Sequence, residues 1–134
     1  METRKCSKCK EEKELSEFFV KEYNKSGNPI YCSICKKCHC NGEKNRYEEK
    51  IKLIDSMKTP CLKCGESRIR CICFHHLNPK EKDFTIAQFR KTNKNVIISE
   101  IKKCVCLCLN CHHEFHYLEK KYGISFDEYI NSGK

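Results

Sequence analysis

Apolar residues occur in short stretches separated by polar segments, and the pattern differs between the two halves of the chain. Residues 68–74 alternate apolar and polar types, which predicts a strand that ends at Asn78-Pro79. A second short strand is predicted at residues 104–107, and helices at residues 97–102, 111–122 and 125–130, with Gly123 just past the end of the longest. The C-terminal half therefore predicts a small α+β domain.

The N-terminal half has a weaker pattern. Residues 16–19 resemble the start of a short helix with Ser16 as N-cap, and residues 25–29 predict a turn. Residues 42–54 are polar and compatible with a helix, and Thr59-Pro60 ends the segment. We expect an N-terminal module with an exit helix at 1–50, a linker at 51–59 and a second domain at 60–134.

Cysteine content changes this picture, because 14 of the 134 residues are cysteine and few large apolar residues remain for a core. The N-terminus has no apolar signal-peptide region, and no apolar run approaches the roughly 18 residues of a membrane span. We therefore expect a protein of a reducing cytoplasm, without a membrane partner and with a nuclear location left open. In such a compartment cysteines favour metal sites over disulfides.

The cysteine spacing predicts two tetrahedral zinc sites, because two C-x-x-C turns together present four sulfurs. Cys61 and Cys64 with Cys108 and Cys111 form one set. Cys6 and Cys9 begin the other, whose second pair is open because Cys32/Cys35 and Cys35/Cys38 both have the spacing. Four cysteines at alternating strand positions are expected to be buried small apolar residues: Cys71, Cys73, Cys104 and Cys106. Cys40 is expected to take no part in either site.

The formal charge of +9 indicates an anionic partner such as DNA. Two zinc ions, each held by four thiolates, would lower this charge to about +5. The positive excess is reduced but not removed.

Four histidines add candidate chemistry. His75 and His76 follow the predicted strand, and His112 and His116 are four apart in the predicted helix, on one face. Neighbouring strand residues point in opposite directions, so only one of His75 and His76 is expected to bind a shared ion. The other is then available as a base.

Two segments carry a resemblance to a known family: Phe74-His75-His76-Leu77-Asn78-Pro79, and residues 103–116 with Cys108-Leu109-Asn110-Cys111-His112. Residues 60–118 resemble zinc-bearing HNH endonucleases of phage or homing type, which implies a ββα-metal fold preceded by a small zinc-finger module. Residues 4–50 resemble the module that precedes such domains, and the spacing from Gly27 to Cys32 in that match favours Cys32/Cys35 as the second pair of the first zinc site.

The resemblance implies a function and residue roles. The protein would be a metal-dependent DNA endonuclease, with His76 as general base and His75, His112 and His116 holding one catalytic ion, Mg²⁺ or another divalent metal. For His116 the resemblance also allows a phosphate contact in place of a third ligand. The two zinc ions would be structural, and a homodimer is an option. The asparagine of the HNH motif has three candidates, Asn93, Asn95 and Asn110. The alternatives are a non-catalytic double-zinc nucleic-acid-binding protein and a zinc-dependent protein adaptor.

Overall fold

The structure is a computed structural model that describes residues 2–133, and it divides into two compact units, Met1–Glu49 and Lys50–Lys134. All strand pairs are antiparallel and two-stranded, so the architecture is small α+β. Within the described residues, no helix combines the length and apolar character that crossing a bilayer requires.

The first unit contains two hairpins that sequence patterning did not predict. Strand β1 (Thr3–Lys5) pairs with β2 (Glu12–Glu14), and β3 (Phe18–Tyr23) pairs with β4 (Pro29–Cys35). Their residues are largely exposed, so they lack the alternation that marks a half-buried strand.

The prediction of a helix start at residues 16–19 is wrong. A 3-10 turn at Leu15–Glu17 leads directly into β3, and its cap, Glu14, makes no side-chain capping bond. Phe18 starts the strand and is buried in a small cluster with Cys6 and Cys35. Burial of this one aromatic residue therefore overrides the local helix signal.

The linker expected at residues 51–59 is also wrong, because residues 51–56 are helical. Helix α1 runs from Lys36 to Ser56, and the division between the units falls inside it. Ile54 is buried in a cluster of the second unit with Ile86, Ile97 and Ile101, so the end of the helix contributes to a core.

The second unit is built around one hairpin, in which β5 (Ile72–His76) pairs with β6 (Cys104–Cys108). Helix α2 (Lys94–Ile101) precedes β6, and helix α3 (Leu109–Tyr122) follows it directly. Residues 69–71 of the predicted first strand form a 3-10 turn, so the strand begins later and includes both histidines.

Local signals set the ends of these helices. Asn93 caps α2 by accepting from the backbone N–H of Asn95. Helix α3 ends at Gly123, whose φ of 68° is left-handed and suits glycine. A capping box of Ser125 and Glu128 begins α4 (Phe126–Asn131).

Candidate functional site

The second unit brings together the four cysteines that the sequence predicted. The sulfurs of Cys61, Cys64, Cys108 and Cys111 all lie within 4.8 Å of one another. The first pair comes from a tight turn, and the second lies where β6 passes into α3, with Cys108 Sγ capping the helix by accepting from the Cys111 N–H at 3.4 Å. Hairpin and helix are thus joined at one cysteine cluster.

The first unit contains a similar cluster, but its members differ from the expected set. The four sulfurs within 4.8 Å of one another are those of Cys6, Cys9, Cys35 and Cys38, and Cys32 is not among them. Cys32 and Cys35 both lie on β4, three residues apart, so alternation directs them to opposite faces. Cys38 lies in the first turn of α1, where the strand-to-helix junction turns it back towards Cys35.

The two cysteine turns share one backbone pattern. The N–H of Cys6 donates to Glu11 O at 2.9 Å, and the N–H of Cys61 donates to Glu66 O at 2.8 Å. The residue after each C-x-x-C has positive φ, 64° at Lys10 and 77° at Gly65. Two separate segments therefore form the same knuckle.

The donor chemistry of both clusters fits zinc. Four thiolates in a tetrahedral group are a common structural zinc set, and thiolates bind only when deprotonated. The N–H of Cys35, 3.3 Å from Cys6 Sγ, lowers the pKa of Cys6 to about 6. Burial acts against ionisation of Cys61, but hydrogen bonds from the backbone of Cys108 and Cys64 outweigh it and lower its pKa to about 6.

The histidine cluster joins β5 to α3. One ring nitrogen from each of His75, His112 and His116 lies within 4.8 Å of the others, and the ring centroids of His112 and His116 are 4.6 Å apart. His75 is buried, and its ring stacks on Phe126 and meets Phe115 edge-on. The aromatic packing fixes the His75 ring, and the helical spacing brings the other two to it.

These imidazoles are suited to hold a cation. Burial, together with the nearby His112 and His116, lowers the pKa of His75 to about 4, and burial with His116 lowers the pKa of His112. His116 Nδ1 lies 3.1 Å from Glu119 Oε2, an arrangement typical of metal-binding histidines. Three nitrogen donors suit zinc, nickel or similar ions better than Mg²⁺, which prefers oxygen ligands.

His76 is not one of the three clustered histidines and instead meets a buried carboxylate. Its Nε2 lies 2.7 Å from Glu100 Oε1, and the Glu100 side chain is 1% exposed. Lys103 Nζ binds the other oxygen of Glu100 at 2.9 Å, and the N–H groups of Asp83 and Phe84 donate to Oε1. Burial acts against ionisation of Glu100, but these donors outweigh it and hold its pKa at about 2.

Sequence reasoning missed Glu100. The asparagines considered for a positioning role lie elsewhere: Asn93 caps α2, and Asn110 lies in the first turn of α3. The available signal was a carboxylate inside the apolar run Ile97-Ile98-Ser99-Glu100-Ile101, where a charged side chain on the buried face needs a partner.

All four histidines line one cavity of about 550 Å³ in the second unit. The cluster of His75, His112 and His116 and the separately held His76 therefore face a common space. Chemically, this arrangement offers a three-nitrogen cation site beside an imidazole whose Nδ1 is not bonded to Glu100.

Comparisons of the chain with protein-family models, with curated proteins and with solved structures found no significant match. The two cysteine clusters and the histidine triad therefore rest on the geometry of this chain alone.

Proposed function

We propose that the protein is a metal-dependent DNA endonuclease of the HNH type, with a ββα-metal site in its second unit and zinc in both cysteine clusters. The observation that carries the proposal is the convergence of three imidazoles from a hairpin and the following helix, beside a fourth imidazole held by a buried carboxylate. The element order β5, β6, α3 supports the fold assignment. A simple zinc-stapled scaffold has no need of these histidines.

The residues have separate tasks in this proposal. His75, His112 and His116 would hold the ion, which when bound stabilises negative charge on the phosphoryl and leaving oxygens. Glu100 fixes the His76 ring through Nε2, which leaves Nδ1 to take a proton from the attacking water. The ionised carboxylate also stabilises the positive charge that the ring gains.

The fit to DNA rests on charge. The net charge of +9 stays positive after two four-thiolate zinc sites are subtracted, and basic side chains bind phosphates without reading sequence. The first unit has no cluster of histidines among its described residues, so we assign it DNA affinity rather than chemistry.

Cleavage of supercoiled plasmid tests the proposal. Zinc-loaded full-length protein is assayed with added Zn²⁺, Ni²⁺, Mn²⁺ or Mg²⁺, and we expect nicking that His76→Ala removes while DNA binding persists. His113→Ala is the control, because His113 is exposed on α3, the helix that carries His112 and His116, and lies outside the cluster. We expect it to cut like the wild type.

Two results would contradict this assignment: undiminished cutting by His76→Ala, or no cutting by the wild type with any of the ions. Metal analysis distinguishes the nuclease from the second candidate function. Two tight zincs plus one weaker, exchangeable ion supports the nuclease, whereas two zincs with no exchangeable ion supports a non-catalytic nucleic-acid-binding protein.

A further inference from the structure

The cavity beside the histidines is more apolar than phosphodiester hydrolysis requires. Away from the histidines its wall includes Ile54, Phe74, Ile86, Ala87 and Phe89. A phosphate backbone that only crosses the site would need positive charge and hydrogen-bond donors, not an apolar recess. A volume of about 550 Å³ falls in the range of pockets that enclose small organic ligands.

The core of the unit supports this wall from behind. Ile54 and Ile86 belong to the buried cluster that also contains Ile97, and Phe74 and Phe89 pack against that cluster. The wall is therefore formed by packed residues and does not need a ligand to assemble it. Ala87 is exposed on the short segment Ile86–Lys91 and contributes a small side chain, which keeps the recess open.

Charge is confined to other parts of the lining. Lys82 lines the same cavity, and the three-nitrogen cation site lies among the histidines. Lys58 also lines the cavity, but its ammonium group is paired with Asp55 at 3.0 Å. An apolar wall next to positive charge matches a nucleotide, which joins a flat base to an anionic phosphate. Bases taken out of the stack are held in this way, against apolar or aromatic side chains.

We propose that this recess takes one unpaired nucleotide of a DNA strand, with the base against the apolar wall and its phosphate towards the histidine cluster and Lys82. The inference rests on the proposed function and narrows its substrate class to DNA with an unpaired or extruded nucleotide. A fully paired duplex keeps its bases stacked and cannot fill the recess without the cost of opening a pair.

Binding to two matched duplexes tests the inference. Both carry 2-aminopurine at one position, which is bulged in the first duplex and paired in the second. The zinc-loaded full-length protein is the wild type, because His76 itself lines the cavity, and no exchangeable divalent ion is added, so that the strands are not cut. We expect about tenfold tighter binding of the bulged duplex, from the stacking of one base, with a change in 2-aminopurine fluorescence.

A cavity-filling variant identifies the recess as the cause. Ala87→Phe inserts a ring at an exposed lining position and should remove the preference. Gln88→Phe is the matched control, because Gln88 is exposed on the same segment and does not line the cavity. It should keep the preference. Thermal melting and zinc content of both variants report whether the fold is retained.

The outcomes separate this inference from the nuclease proposal. Two results would overturn nucleotide binding in the recess even if plasmid is cut. One is equal binding of the two duplexes by the wild type, and the other is a preference for the bulged duplex that survives in folded Ala87→Phe. A preference for the bulged duplex that is lost in Ala87→Phe and kept in Gln88→Phe supports nucleotide binding in the recess, even if the plasmid assay shows no cutting.

Discussion

Replacing Cys38 by serine removes one of the four sulfurs that lie within 4.8 Å of one another in the first unit. The described core of that unit is small: Phe18 is the only large apolar residue in its buried cluster, and its burial contributes about 1.5–3 kcal/mol. A structural zinc contributes about 10–16 kcal/mol, so each of four ligands accounts for roughly 2.5–4 kcal/mol. We expect Cys38→Ser to weaken zinc binding there by about two to three orders of magnitude.

Native mass spectrometry and limited proteolysis measure this effect. We expect Cys38→Ser to lose one zinc during incubation with a mild chelator and to become sensitive to protease within residues 2–49. Cys32→Ser is the matched control, since it changes a cysteine of the neighbouring strand that lies outside the cluster. Loss of zinc from Cys32→Ser together with retention by Cys38→Ser would refute the ligand set.

Three further predictions follow from individual contacts in the second unit. Glu100→Ala leaves four donors without their buried acceptor and should lower the free energy of unfolding by about 3–5 kcal/mol in chemical denaturation. Glu100→Gln keeps an acceptor oxygen and should lower it clearly less. Equal losses in the two variants would contradict the assigned hydrogen bonds. Burial, with the charge of Glu100, raises the pKa of Cys104 to about 11 from 9.0, so its reactive thiolate forms only as pH rises towards 11. Iodoacetamide at pH 8 should therefore modify Cys104 much more slowly than exposed Cys40, and equal rates by mass spectrometry would argue against this. Ser125→Ala removes the N-cap of α4 and should lower stability by about 1 kcal/mol, whereas Ser99→Ala, at an exposed position inside a helix, should have little effect in the same denaturation experiment.

Features encoded by short spacings were predictable from the sequence. The turn from Cys61 to Cys64 needs only local backbone geometry, and the one-turn separation of His112 and His116 follows from helix periodicity. Strand alternation also predicted that His75 and His76 point in different directions, and the structure gives them separate partners.

Features that depend on tertiary contacts were not predictable in this way. Cys32 and Cys38 have equivalent spacing from Cys35, and only the position of the strand-to-helix junction distinguishes them. The first-unit hairpins are too exposed to show alternation. Glu100 lies within an apolar run that indicates burial, but only the tertiary structure shows that His76 and the loop at Asp83 supply its partners.

Helix α3 carries adjacent residues of two different clusters in its first turn, since Cys111 belongs to the sulfur set and His112 to the nitrogen set. An ion that holds the four sulfurs together therefore also fixes the start of the helix and the position of the His112 imidazole. Metallation should consequently be sequential, with the thiolate-bound ion loading first and the nitrogen-bound ion gaining affinity from it. A strong chelator would then remove the ions from both clusters. A weak chelator would remove only the nitrogen-bound ion and leave a folded protein that can bind that ion again.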